Sequence, residues 1–199
     1  PADVTDPQQV HDVVALAASE LGRLDILVVN AGGPPPGMFE GLDDDAWKAA
    51  FDLTLMSAVR LVRVALPHLR ASDAASVVFI SSYSVRQAIL GLTLSNSVRL
   101  AISGLAKSLS FELAPAIRVN TLLPGMIATG RSIQLAESRL SPGTTVEQVM
   151  SESAEEVPLR RYGQPDEFAR AAVFVASPAA SYINGATLPV DGGLIRATL

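Results

Sequence analysis

The chain contains no cysteine, which excludes disulfide bridges and every reaction that runs through a thiolate. Histidine is nearly as scarce: only His11 and His68 occur, and no carboxylate cluster surrounds either. No metal site is therefore expected, and both histidines are read as helix-surface residues. Long apolar runs are missing too. None approaches the roughly 20 residues of a membrane span, and no charged-then-apolar leader opens the chain at Pro1. Basic residues are in deficit: 15 Lys and Arg against 20 Asp and Glu give a formal net charge of −5. A nucleic-acid groove needs a basic stripe, which this balance does not supply. The expectation is a cytoplasmic protein that handles small molecules and engages neither membrane nor nucleic acid.

What is present is an apolar content of 49% spread over 199 residues. That length suits a single domain, 1–199, able to bury about 70% of its unfolded surface without staples. In "TDPQQVHDVVALAASELG", Thr5 can cap a helix, Gln8 can complete a capping box, Pro7 suits the first turn, and Gly22 is a plausible stop. Leu24 to Val29 is a short branched apolar run, as expected of a strand buried on both faces. "DDDAWKAAFDLTLMSAVRLVRVALPHL" reads as one long helix, with its acidic residues at the positive end of the helix dipole. "SVVFIS" is a second strand, Ser95 to Leu113 a further helix and "IRVNTLLPG" a third strand. Residues 130–157 are polar and poorly patterned. Pro165 opens another helix, and "GATLPVDGG" reads as a last short strand. Strands alternating with helices of ten or more residues imply a parallel sheet covered by helices on both faces. In such folds ligands bind at the carboxyl ends of the strands. Residues 130–157 are accordingly read as a lid over that edge, with a disordered insertion as the alternative.

If the sheet is parallel, three strand tails gather on one edge. The first delivers Asn30, Ala31, Gly32 and Gly33, the second Ser81, Ser82 and Tyr83, and the third Pro124, Gly125, Ile127 and Thr129. Turns favour the same residue types, but three such sets on one edge look like a bed for a bound cofactor, where glycine lets backbone approach a ligand closely.

The motifs "DVTD" at 3–6, "NAG" at 30–32, "ISS" at 80–82, "SGLAKSLSFELAP" at 103–115, "IRVNTLLPGMIAT" at 117–129 and "GATLPVDGG" at 185–193 occur in a specific order. Across essentially the whole chain this resembles the classical short-chain dehydrogenase/reductase family, and within it the 3-oxoacyl-acyl-carrier-protein reductase branch. The resemblance implies an α/β fold with a Rossmann-type doubly wound parallel sheet. It implies NAD or NADP as cofactor and hydride transfer to or from a small carbonyl or alcohol substrate. By the same resemblance, Asp3 and Val4 match positions that contact the adenine ring. Asn30, Ala31 and Gly32 line the cofactor, and Ser82 matches the serine that hydrogen-bonds the substrate carbonyl. Pro124, Gly125, Ile127 and Thr129 match the segment that holds the nicotinamide.

Two departures from the family stand out. Its first βαβ units, with the glycine-rich turn that receives the diphosphate, are not in this chain, and on the order of 50–60 residues are expected upstream. That part also carries the choice between NAD and NADP. Second, the family's catalytic tyrosine falls at Ser95, its lysine at Arg99 and its helix asparagine at Thr54, so only Ser82 keeps its type. A serine hydroxyl is a far weaker acid than a phenol, whose ordinary pKa is about 10. Arg99 retains the charge and can grip ribose hydroxyls, but it cannot relay a proton.

Three readings remain open. The protein is a reductase whose oxyanion is stabilised by Ser82, Ser95 and Arg99, with water or Tyr83 as proton source. Alternatively it is a catalytically impaired dinucleotide sensor or oligomer partner. Third, it is a serine hydrolase, which is disfavoured because neither histidine falls at a strand end. Without the resemblance, Ser95 would be a helix N-cap and Arg99 a surface cation. The helices over 47–69 and 95–113 are apolar around much of their circumference, and in the family they and the last strand build a homodimer or homotetramer, which is the expectation here.

Overall fold

A computed structural model describes residues 1–198. The first helix, α1 (Pro7–Leu21), is capped by Asp6, not by Thr5: the Asp6 carboxylate accepts from Gln8 N at 2.8 Å and Gln9 N at 3.3 Å. Thr5 is already engaged, its hydroxyl donating to Asp3 Oδ1 at 2.8 Å. A full negative charge is the stronger acceptor at the positive end of a helix. Pro7 occupies the first turn, and Gly22 ends the helix at φ 73°, as its position suggested.

Four strands follow, β1 (Ile26–Val29), β2 (Ala75–Ile80), β3 (Ile117–Pro124) and β4 (Thr187–Val190). They form one all-parallel sheet in the order β1-β2-β3-β4, with Val29 beside Phe79, Ile80 beside Leu122 and Pro124 beside Val190. Parallel neighbours need crossover connections. These are α2 (Asp44–Phe51) with α3 (Ser57–Arg70), α4 (Thr93–Glu112), and finally α5 (Gly130–Glu137), α6 (Val146–Glu155) and α7 (Pro165–Ala176).

Alternation along the strands divides the core into two layers. Val29, Val77, Phe79 and Val119 face α1, α3 and α4, meeting Val14, Val62, Leu69, Ile102 and Ala106. Val78 and Leu122 face the other way, onto Phe168, Ala172, Val175 and Ala176 of α7. Each fully buried side chain of this kind contributes about 1.5–3 kcal/mol. The strand β1 departs from the expectation of burial on both faces: Ile26 is 43% and Val28 49% exposed. It is the edge strand of the described sheet, and α7 packs on the strands beyond it, β2 and β3.

Arg118 fastens β3 to the carboxyl end of α7, donating to the carbonyls of Val175, Ala176, Ser177 and Ile183 at 3.0–3.2 Å. Val175 O and Ala176 O are carbonyls a helix end leaves without partners, and a cation suits them.

Two other segments differ from their sequence patterns. The single long helix expected after residue 43 is interrupted: Asp52–Met56 forms a π-helical turn between α2 and α3. Such turns recur at functional sites because they push a side chain out of helical register. Residues 130–157 contain α5 and α6 instead of irregular chain, and α6 opens on a capping box between Thr145 and Gln148. Both are short helices with partial apolar faces, which is why periodicity over the whole segment is weak.

Candidate active site

Because all four strands run parallel, Asn30, Ser81–Ser82 and Pro124–Gly125 leave the sheet at the same edge. At the end of β2, Ser82 is extended (φ −162°, ψ 152°), and its Oγ accepts from Ser84 N at 3.1 Å. The acceptor role is thus filled locally, and the hydroxyl proton is left to donate outward. Tyr83 lies in the 3₁₀ turn that follows, so strict strand alternation no longer fixes its direction. Burial pushes its phenol pKa up, with the charge of Arg139 opposing. That makes it a poorer proton donor at neutral pH.

The residues from "SNSVR" are not where an N-cap and a surface cation would be. The helix α4 begins at Thr93, with Leu92 as its cap, so Ser95 falls inside the first turn and is buried. One turn on, Arg99 folds back onto β2: its Nη1 donates to Ser81 O at 3.0 Å and Ile80 O at 3.3 Å, while Ser81 Oγ donates to Arg99 O at 3.2 Å. These bonds hold a permanent cation one residue from Ser82. Burial pushes the guanidinium pKa down to about 10, and the nearby charge of Arg131 adds to this. Asn96 clamps the preceding loop to the helix, accepting from Ile89 N at 3.3 Å and donating to Ile89 O at 3.0 Å.

Thr54 sits in the π turn, which packs against α4. Only 4% of it is exposed, yet its Oγ1 has no hydrogen-bond partner among the described residues. A buried unsatisfied hydroxyl calls for an explanation, either a strained site or a group that is filled during function.

At the end of β1, Asn30 is exposed and Ala31 half-buried. A Cβ placed on Gly32 would meet no atom within 4 Å, so that part of the edge is open. At the end of β3, Gly125 is required by close approach: a Cβ there would lie 2.6 Å from Asp191 Cα. Its N donates to Val190 O at 3.2 Å. Ile127 bridges to Gly163 and accepts at its carbonyl from Ser132 Oγ. Thr129 stands at the N-cap of α5 without using its side chain as a cap, which leaves the hydroxyl exposed. Asp3 and Val4 are not joined to this edge by any hydrogen bond among the described residues. The Asp3 carboxylate is held below its usual range by the backbone N–H and hydroxyl of Thr5.

One cation escaped the sequence pattern. Arg131, in the first turn of α5, donates from Nη2 to Pro34 O at 2.8 Å and from Nη1 to Gln134 Oε1 at 2.6 Å. Its guanidinium lies 2.9–3.2 Å from where a Cβ on Gly33 would stand, so it covers the tail of β1. No spacing rule links it to a loop 97 positions earlier in the chain. Beside it, the loops after β1 and β2 are joined by Gly37 N donating to Gly91 O at 2.7 Å. With α5 they border an open groove of about 330 Å³ lined by Met38, Leu90, Leu92, Leu135, Ser138 and Arg139.

The model of the family described as Enoyl-(Acyl carrier protein) reductase matches residues 1–195. The chain is 34% identical over 195 residues to 7alpha-hydroxysteroid dehydrogenase of Escherichia coli K12, covering 98% of this chain and 72% of that protein. Among solved structures, the ligand-free aldohexose dehydrogenase of Thermoplasma acidophilum superposes with a TM-score of 0.92 at 34% identity, over 99% of this chain and 78% of the other. An NADPH-bound short-chain oxidoreductase of Pseudomonas aeruginosa PAO1, described as containing an atypical catalytic center, superposes with a TM-score of 0.88 at 32% identity, over 99% and 76%. With its parallel sheet, its ordered strand tails and these matches, the chain belongs to the classical short-chain dehydrogenase/reductase family.

Proposed function

We propose that this protein is an NAD(P)-dependent oxidoreductase of carbonyl or alcohol substrates with an altered catalytic set, built on Ser82, Arg99, Ser95 and Thr54. The observation that carries the reading is the Arg99 guanidinium fixed on the tail of β2, one residue from a serine whose proton is free. The open edge at Gly32, the exposed Thr129 hydroxyl and the unpartnered Thr54 Oγ1 are compatible with a nicotinamide ring and its carboxamide. Such a cofactor, when bound, supplies the hydride. Asn30, Ala31, Gly32, Pro124, Gly125, Ile127 and Thr129 would line it, with Asp3 and Val4 toward its adenine end.

The chain's own contribution is electrostatic. Ser82 donates to the substrate oxygen, and Arg99 stabilises the negative charge that develops there. Stabilisation of this type loses about 10²–10³ in rate when one donor is removed. Arg99 passes no proton, and Tyr83 is disfavoured as the acid by its burial. The proton therefore comes from water, which the unpartnered Thr54 hydroxyl has the chemistry to hold. The groove formed by the loops after β1 and β2 with α5 suits a small substrate carrying both apolar and polar groups, and residues 130–157 act as its lid.

Loss of NADPH or NADH absorbance with a panel of aldehydes and ketones tests the reading, and no oxidation with any substrate overturns it. The replaced tyrosine also supports a second reading, a dinucleotide sensor without turnover. Titration of NADPH fluorescence would show binding in either case. A homo-oligomer is supported by Leu100 and Phe111 of α4, 57% and 74% exposed. Light scattering on the purified chain measures it.

A further inference from the structure

Arg99 and Arg131 come from helices that are distant in sequence, yet they bond the tails of adjacent strands, β2 and β1. Each is hydrogen-bonded only to neutral oxygens: Ile80 O and Ser81 O for Arg99, Pro34 O and Gln134 Oε1 for Arg131. Neither takes part in a salt bridge among the described residues. Four other arginines, Arg23, Arg60, Arg160 and Arg161, face carboxylates at 2.7 Å, and Arg118 makes four N–H bonds to carbonyls. Burial disfavours the charge on both Arg99 and Arg131, and the charge of Arg131 further disfavours that of Arg99.

Local helix physics does not explain Arg131 either. It lies in the first turn of α5, where the macrodipole favours an anion. A guanidinium offers five N–H donors in a planar fork, and the bonds above leave several on each residue unused. Two half-desolvated cations of like sign, with free donors and a misplaced helix position, form an arrangement that lacks its counter-charge.

We propose that Arg99 and Arg131 together form a clamp for an oxyanion, a phosphate or carboxylate group carried into the strand-edge site. The inference rests on the placement of the site in the preceding reading and adds the charge of its ligand. Two sources share this chemistry, the phosphate of a phosphorylated substrate and the carboxylate of a keto-acid substrate. A planar fork pairs with two oxygens of either group, and charge-assisted bonds of this kind are the strong ones. The groove beside the clamp, lined by both apolar and polar side chains, would then take the rest of the acid.

Calorimetric titration of the whole chain with pyrophosphate and, separately, with pyruvate at low ionic strength tests the clamp without requiring turnover. At least one of the two binds the parent protein, and Arg131→Gln and Arg99→Gln each weaken it by about tenfold to a hundredfold. Preference for pyrophosphate assigns the clamp to a phosphorylated substrate, and preference for pyruvate to a keto-acid substrate. No binding of either probe, or unchanged affinity in either variant, overturns the clamp. Should Arg99→Gln not fold, Arg131→Gln decides alone, because its side chain is only half-buried and its helix does not depend on it. Carbonyl reduction without oxyanion binding would refute the clamp and leave the oxidoreductase reading standing. Oxyanion binding without reduction of any substrate would do the reverse.

Discussion

Thr54→Val isolates a single atom. The parent side chain is 4% exposed, and its Oγ1 finds no partner among the described residues. Valine has nearly the same shape and the same β-branching, so packing and backbone preference are kept while the hydroxyl is lost. The other bonds of this turn use backbone: Ser57 Oγ donates to Thr54 O at 3.3 Å, and that contact survives the change. Leaving a buried hydroxyl unpaired costs about 1–3 kcal/mol. The variant should therefore be more stable by about 1 kcal/mol, which for a domain of this size raises Tm by about 2–4 °C. Urea unfolding followed by the fluorescence of Trp47, the chain's one tryptophan, is a suitable assay, since Trp47 packs on the cluster that joins α2 to α4. Thr54→Ser is the control: it keeps the hydroxyl, removes a methyl, and should cost about 1 kcal/mol. If Thr54→Val is instead less stable than the parent, the hydroxyl has a partner and the argument fails. If the hydroxyl holds a water for turnover it is paired, and the variant then loses rate without gaining stability.

Ser82→Ala should lower the rate of carbonyl reduction by about 10²–10³ in steady-state assays, and a variant of full activity would remove Ser82 from the site. Replacing Arg118 by methionine leaves Val175 O and Ala176 O without a donor, while Ser177 O keeps Ala180 N and Ile183 O keeps Asn120 Nδ2, and should destabilise the chain by about 1–3 kcal/mol in urea titrations. Gly125→Ala places a Cβ 2.6 Å from Asp191 Cα and should cost about 1–3 kcal/mol as overpacking; a neutral effect by thermal unfolding would mean that the two segments separate freely. Glu167 is gripped by Arg161 through two bonds of 2.7 Å and by Gln164 N, which pull its carboxyl down to about 2. A depressed carboxyl stabilises the fold at and above its ordinary range, and that contribution is lost as pH falls from about 4.5 to about 2. Glu167→Gln should flatten the pH dependence of urea stability across that interval, and an unchanged slope would refute the assignment.

Much of this molecule is determined locally. Proline at the start and glycine at the end of α1, the branched apolar cores of β2 and β3, and the proline opening α7 each act through dihedral preference or burial within a few residues. Such signals can be read one window at a time, and with them the parallel sheet and the strand tails that carry Asn30, Ser82 and Gly125. The cap on α1 went to Asp6 instead of Thr5 because two acceptors compete over a distance no pattern resolves. Only the tertiary structure decided what covers β1, where Thr54 projects, and which cations lie together. Arg99 could be a surface charge until α4 docks on β2, and Arg131 is one basic residue in a polar stretch until α5 folds over Gly33. The reason is physical: burial and Coulomb interaction depend on distance in space, and these partners come from strands and helices that meet only after the chain has crossed over the sheet.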